Sequence, residues 1–136
     1  MPNVPTPGKP MRILIVDQHS MRRSQIEKNL NTLGHYRVAT ADSFPDMLAL
    51  THYSPDRFER FDLLIINASL ISAEGIDALD FCLNNPRLRH ALVYEPDRKQ
   101  YSSQTFSVRP RQQVRLIRSV DFSELVDFLL LIEPSI

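Results

Sequence analysis

The sequence predicts an α/β domain built on a doubly wound, five-stranded parallel sheet. Five short strand-like runs alternate with helical patterns, which is the order that parallel βα units require. The first run, Arg12-Ile13-Leu14-Ile15-Val16, is almost continuously apolar, as a strand covered on both faces must be. Right-handed crossovers between parallel strands then place helices on both sides of the sheet.

After this first strand, Asp17 to Ser20 leads into a helix whose Ile26, Leu30 and Leu33 recur at i, i+4 and i+7, with Ser20 as its N-cap and Gly34 as its stop. Residues 36–40 form a second, more polar strand suited to a sheet edge. Ser43 caps a helix from Phe44 to about Tyr53, with Pro45 in its first turn and a break at Ser54-Pro55. The third strand covers 62–66 and ends at Asn67. A loop through Ser72 precedes a helix carrying Ile76, Leu79 and Leu83, closed by Asn84-Asn85-Pro86. The fourth strand is 91–94, the fifth 114–117, and a last helix begins near Phe122. Between those two strands, Glu95 to Gln113 is polar and weakly periodic, so the helix due there is short, displaced or partly lost. Met1 to Pro10, with four prolines, reads as a flexible arm before a domain at 11–133 and a tail at 134–136.

At 136 residues, with 43% hydrophobic and 24% charged side chains, the chain has the size and make-up of one globular domain. Sixteen basic residues balance 16 acidic ones, which argues against direct binding of nucleic acid or an acidic membrane surface. The single cysteine, Cys82, lies in an apolar helical pattern and reads as an inert thiol in a reducing compartment. No apolar run reaches the length of a membrane span, and a cytoplasmic protein is expected. His19, His35, His52 and His90 share no metal-ligand spacing. Asp17, Ser20 and Ser24 have no histidine placed to complete a triad. Only three glycines occur, and none lies in a phosphate-loop pattern. Neither a catalytic set, a metal nor a cofactor is expected.

In a parallel α/β sheet, function gathers at the C-terminal strand ends, which here carry Asp17, Gln18, Asn67, Tyr94 and Arg118. These positions carry a resemblance. Over residues 12–133 the chain resembles the receiver domain of bacterial response regulators, especially the stand-alone chemotaxis type. The segments that carry it are Ile13 to Ser20 with the helix to Gly34, Asp62-Leu63-Leu64-Ile65-Ile66-Asn67, and Arg118-Ser119-Val120-Asp121-Phe122. The resemblance implies a flavodoxin-like fold with strand order 2-1-3-4-5. It also implies a phosphoryl-transfer site of two acids, an acceptor aspartate, a hydroxyl residue and a lysine, served by magnesium.

The chain departs from that set almost everywhere. Asp17 keeps the first acid, and Gln18 replaces the second, a metal ligand in the family. Asn67 replaces the acceptor, and a carboxamide is neutral and a very poor nucleophile. Tyr94 stands for the hydroxyl residue (a shift of one would put Glu95 there), Arg118 for the lysine, Ser119 for the usual proline, and Arg115 for an aromatic switch residue. The expectation is a degenerate pseudo-receiver, locked by a bond from Arg118 to Asp17, that is no enzyme and acts as a bacterial signalling module through protein–protein contact.

Its expected contact face lies around the fourth helix, fifth strand and last helix. Arg98, Lys99, Arg109, Arg111, Arg115 and Arg118 bias it positive, although a plain solvated face explains them too. On the last helix, Phe122, Leu125, Val126, Leu129 and Leu130 form the expected core stripe, while Phe128, Leu131 and Ile132 extend it outward and suggest a homodimer. The alternatives are a phosphoryl acceptor using a displaced carboxylate, Asp62 or Glu95, and a small-ligand sensor at the former acidic pocket.

Overall fold

The computed structural model of the chain describes residues 11–52, 61–99 and 103–133. The expected arm, the Ser54-Pro55 break and the tail lie outside the described residues. In chain order the elements are β1 (Ile13–Val16), α1 (Ser20–Thr32), β2 (Val38–Ala41), α2 (Phe44–Thr51), β3 (Leu63–Asn67), α3 (Ala68–Ser72), α4 (Ala78–Leu83), β4 (His90–Tyr94), β5 (Gln104–Phe106), β6 (Val114–Ile117) and α5 (Phe122–Ile132).

The strands form one sheet in the order β2-β1-β3-β4-β6-β5, parallel throughout except for the antiparallel β5–β6 pair. The parallel strands β2, β1, β3, β4 and β6 stand for the expected five, but the sheet has six strands, and its order differs from 2-1-3-4-5 because β5 lies at the edge beyond β6. The sixth corrects the reading of 95–113, because an edge strand stands where a degraded helix was expected. Thr105 and Phe106 favour extended backbone, and Pro110 with Arg111 turns the chain back. That turn is closed by the Gln112 N–H donating to the Arg109 carbonyl at 3.2 Å, with Arg111 at φ 63°.

Alternation along the strands divides the core in two. Leu14, Val16, Leu64, Ile66, Ala91, Val93, Val114 and Leu116 face the side covered by Met47 of α2, Ile71 of α3 and Cys82 of α4. Ile13, Ile15, Leu63, Ile65, Leu92, Tyr94 and Ile117 face Ile26 and Leu30 of α1 and Leu125, Phe128, Leu129 and Ile132 of α5.

Helix ends follow their chemistry. Ser43, Asp77 and Asp121 accept from the backbone amides of Asp46, Asp80 and Glu124 at 3.2, 2.8 and 2.9 Å. Gly34, at φ 92°, ends α1 as expected. Ser20 does not cap α1: the cap position is His19, and Ser20 is the first helical residue. The expected loop before Ser72 is α3, and Ile76 lies exposed ahead of α4.

The last helix also needs correction. Phe128 is fully buried and Ile132 nearly so, while Leu130 is 72% exposed. Positions 125, 128, 129 and 132 fall at i, i+3, i+4 and i+7, and the expected stripe fits the helical period equally well, so packing against the sheet and not periodicity decides between them. The outward apolar residues are therefore Phe122, Leu130 and Leu131.

Candidate functional site

Asp17 directly follows β1, whereas Asn67 and Tyr94 are the last residues of β3 and β4, paired with each other in register. All three are buried at one end of the sheet. Alternation sends Asp17 after Ile13 and Ile15, and Tyr94 after Leu92, towards the side covered by α1 and α5.

Asp17 is the centre of the cluster. Its Oδ2 accepts the Tyr94 hydroxyl at 2.5 Å and Arg22 Nη1 at 3.1 Å. Its Oδ1 accepts the His19 amide at 2.9 Å and lies 3.0 Å from the His19 ring Nδ1. Arg23 donates to the Asp17 carbonyl at 2.6 Å, tying the first turn of α1 to the strand end. Burial pushes the Asp17 carboxyl up, but the Tyr94 hydroxyl, the His19 amide and ring and the Arg22 guanidinium together outweigh it. The carboxyl sits below its ordinary value and stays ionised. Burial, then the adjacent carboxylate, push the Tyr94 phenol far above its ordinary range, so it is a fixed donor.

Asn67 is occupied differently. Its Oδ1 accepts the Ser69 amide at 3.0 Å and the Ser69 hydroxyl at 2.7 Å, which makes it the N-cap of α3. Gln18 is exposed and takes no part in either cluster. Arg118, half-buried after β6, is not the cation on Asp17; Arg22 holds that place. Sequence reasoning missed His19, Arg22 and Arg23. Their signal was their position: at the cap and in the first turn of a helix separated from the strand by only three residues, such side chains reach back to the strand end.

The residues do not fit the magnesium that a receiver would hold. Mg²⁺ is held through several oxygen ligands, carboxylates foremost, and keeps a demanding octahedral geometry. Here there is one carboxylate, and both its oxygens are taken by internal donors. Among the described residues, no three His, Cys, Asp or Glu side chains are arranged to hold a metal ion.

The basic face splits in two. Arg98 and Lys99 follow the C-terminal end of β4, whereas Arg109 and Arg111 precede the N-terminal end of β6, at the other end of the sheet. Arg98 donates to Gln104 at 2.9 Å. Arg115 bonds Thr105 of β5 at 3.0 Å and Asp127 of α5 at 2.8 Å, and stacks on the Phe128 ring. It is a clamp between elements. Of the displaced carboxylates, Asp62 lies at the opposite end of the sheet, where it accepts the Arg12 amide, and Glu95 is half-buried just after β4.

Compared with protein-family models, curated proteins and solved structures, the chain matches none.

Proposed function

We propose that this chain is a receiver-like bacterial signalling module that has given up phosphoryl transfer and acts by protein–protein contact. One observation carries the reading: both oxygens of Asp17, the carboxylate of the Asp17–Asn67–Tyr94 cluster, are engaged by Tyr94, His19 and Arg22, while the acceptor position is an amide serving as a helix cap. Such a site has neither a nucleophile nor metal ligands to offer an incoming phosphoryl group. A parallel core in the order 2-1-3-4, continued by β6, supports a flavodoxin-like receiver fold with an added edge strand.

Contact is made through the outer side of α5, where Phe122, Val126 and Leu130 align at i, i+4 and i+8 beside Leu131. Arg98 and Lys99 lie beyond the C-terminal end of β4. A second copy of the chain and a protein of the signalling pathway are both candidates for this surface. No helix among the described residues is long and apolar enough to cross a membrane. The lone buried Cys82 suits a reducing compartment, and we assign the protein to the cytoplasm.

The reading is tested by incubating the protein with a small acyl phosphate and Mg²⁺. No acid-labile adduct is expected on the native chain. Asn67→Asp is expected to stay unmodified too, because Asp17 remains blocked and Gln18 still supplies no carboxylate. A stable adduct on either protein would refute the proposal.

A further inference from the structure

At the N-terminal ends of β3, β4 and β6, away from the Asp17 cluster, lies a cleft of about 290 Å³. The segments leading into those three strands form its wall, with Asp62 from the first, Arg87 to Arg89 from the second and Arg109, Pro110 and Gln112 from the third. Among the described residues, three arginines and one carboxylate line the cleft, leaving two positive charges in excess.

Arg109 is built into the wall. Its Nη2 donates to the carbonyls of Asn85 and Leu88 at 2.6 and 3.0 Å, fixing two of the lead-in segments to each other. The side chains of Arg87 and Arg89 are exposed and have no ion pair or hydrogen bond among the described residues. Asp62 is oriented by the Arg12 amide, which donates to its Oδ2 at 2.9 Å. Leu88 and the part of Phe61 that Arg12 does not cover, its guanidinium lying 4.5 Å from the ring centroid, supply buried apolar surface to the same cleft. The neighbouring imidazoles sense the uncompensated charge. Burial first, and then Arg87 for His52 and Arg89 for His90, hold both below their ordinary value.

We propose that this cleft binds a small phosphate monoester. Arg87 and Arg89 receive the phosphate dianion, Asp62 accepts from a hydroxyl or amino group, and Phe61 with Leu88 meets an apolar ring. The charge excess matches a dianion, and guanidinium groups present forked donors that suit phosphate oxygens. Size restricts the rest of the ligand. At about 290 Å³ the cleft stands at the lower edge of the range for small-molecule pockets, about 300 to 1,000 Å³, so it admits at most one nucleoside-sized body and no folded segment. The site is independent of the receiver-like reading, since it uses the other end of the sheet.

Adenosine 5′-monophosphate, adenosine and inorganic phosphate, titrated into the whole ¹⁵N-labelled chain, test the assignment. Saturable binding of the monophosphate is expected, with amide shifts at Leu88, Arg89 and Gln112 and none at Asp17 or Asn67. Inorganic phosphate is expected to compete weakly and adenosine to bind at least tenfold more weakly, one factor of ten being about 1.4 kcal/mol. Arg87→Gln/Arg89→Gln removes two exposed side chains that make no ion pair or hydrogen bond among the described residues, so the fold survives and affinity falls at least about tenfold. Binding by the native chain also weakens as salt is raised. The proposal is overturned by the absence of saturation up to about 10 mM ligand. Equal affinity for adenosine, affinity unchanged in the double variant or by salt, or shifts confined to the Asp17 end would overturn it as well.

Discussion

A fully buried carboxylate persists only where donors replace the water it has lost, and Asp17 shows how unevenly that replacement is shared. The Tyr94 hydroxyl makes the shortest of its bonds, at 2.5 Å, and comes from a different strand. Tyr94→Phe keeps the ring in the core and leaves Asp17 short of one donor. It is expected to cost about 2 kcal/mol, measured by urea unfolding at neutral pH. The variant raises the Asp17 pKa in the folded state. Native Asp17 has a lowered pKa, so its contribution is present above the ordinary carboxylate value of 3.8 and is lost as pH falls below it. The gap between variant and native protein therefore narrows at low pH. A difference that does not change with pH would show that the hydroxyl does not bear on the charge of Asp17.

Two neighbouring elements, β5 and the turn after it, exist because of a few specific contacts. The turn places Pro110 at its second position and Arg111 at its third, where φ is 63°. A side chain in this left-handed region costs about 1 kcal/mol, a cost that glycine largely avoids. Arg111→Gly is expected to stabilise the protein by up to about 1 kcal/mol, read as a higher unfolding midpoint in urea. The opposite sign would mean that the Arg111 side chain contributes more than its backbone strain costs. Arg115 then holds the strand itself, through Thr105, Asp127 and the face of Phe128. Arg115→Ala is expected to accelerate amide exchange at residues 104–106 while β1 and β3 stay protected, for a loss of about 1 kcal/mol. Uniform acceleration across the sheet would remove Arg115 from the role of a local clamp.

Across the whole molecule, stability is tied to pH through His90. It is buried, and its Nδ1 accepts the Gln113 amide at 3.1 Å, joining β4 to the approach to β6. That bond requires an unprotonated nitrogen. Burial, with Arg89 next, lowers the pKa of His90 from 6.5 to about 4. The unfolded chain therefore binds a proton between those values that the folded chain refuses. Stability is full above pH 6.5 and falls as pH drops towards 4, by at most about 3 kcal/mol from this residue. His52, also lowered, adds a smaller loss of the same sign. Urea unfolding at about pH 7 and about pH 5 measures the slope, and His90→Asn, which keeps an acceptor but cannot titrate, is expected to flatten it. An unchanged slope in that variant would assign the pH dependence elsewhere.

Periodicity made the parallel core legible, because an apolar run such as Ile13–Val16 has few other uses and the helices carry their own caps. Asp17, Asn67 and Tyr94 were legible as strand-end residues for the same reason. Residues 103–106 were not, since a short edge strand buries too little to leave an apolar signature; its place depends on pairing with β6. The rotation of α5 was equally hidden, because three adjacent leucines leave the buried side open until the sheet beneath selects Leu129 and leaves Leu130 and Leu131 outside. By itself, then, the sequence determined the alternating α/β core and the strand-end residues Asp17, Asn67 and Tyr94, of which only Asp17 is a carboxylate. Only the tertiary structure decided that Arg22, and not Arg118, meets Asp17, and that Arg109 joins Arg87 and Arg89 around one cleft. Which charges meet is a matter of three-dimensional distance, and residues about 20 apart in the chain become neighbours only when their strands lie side by side.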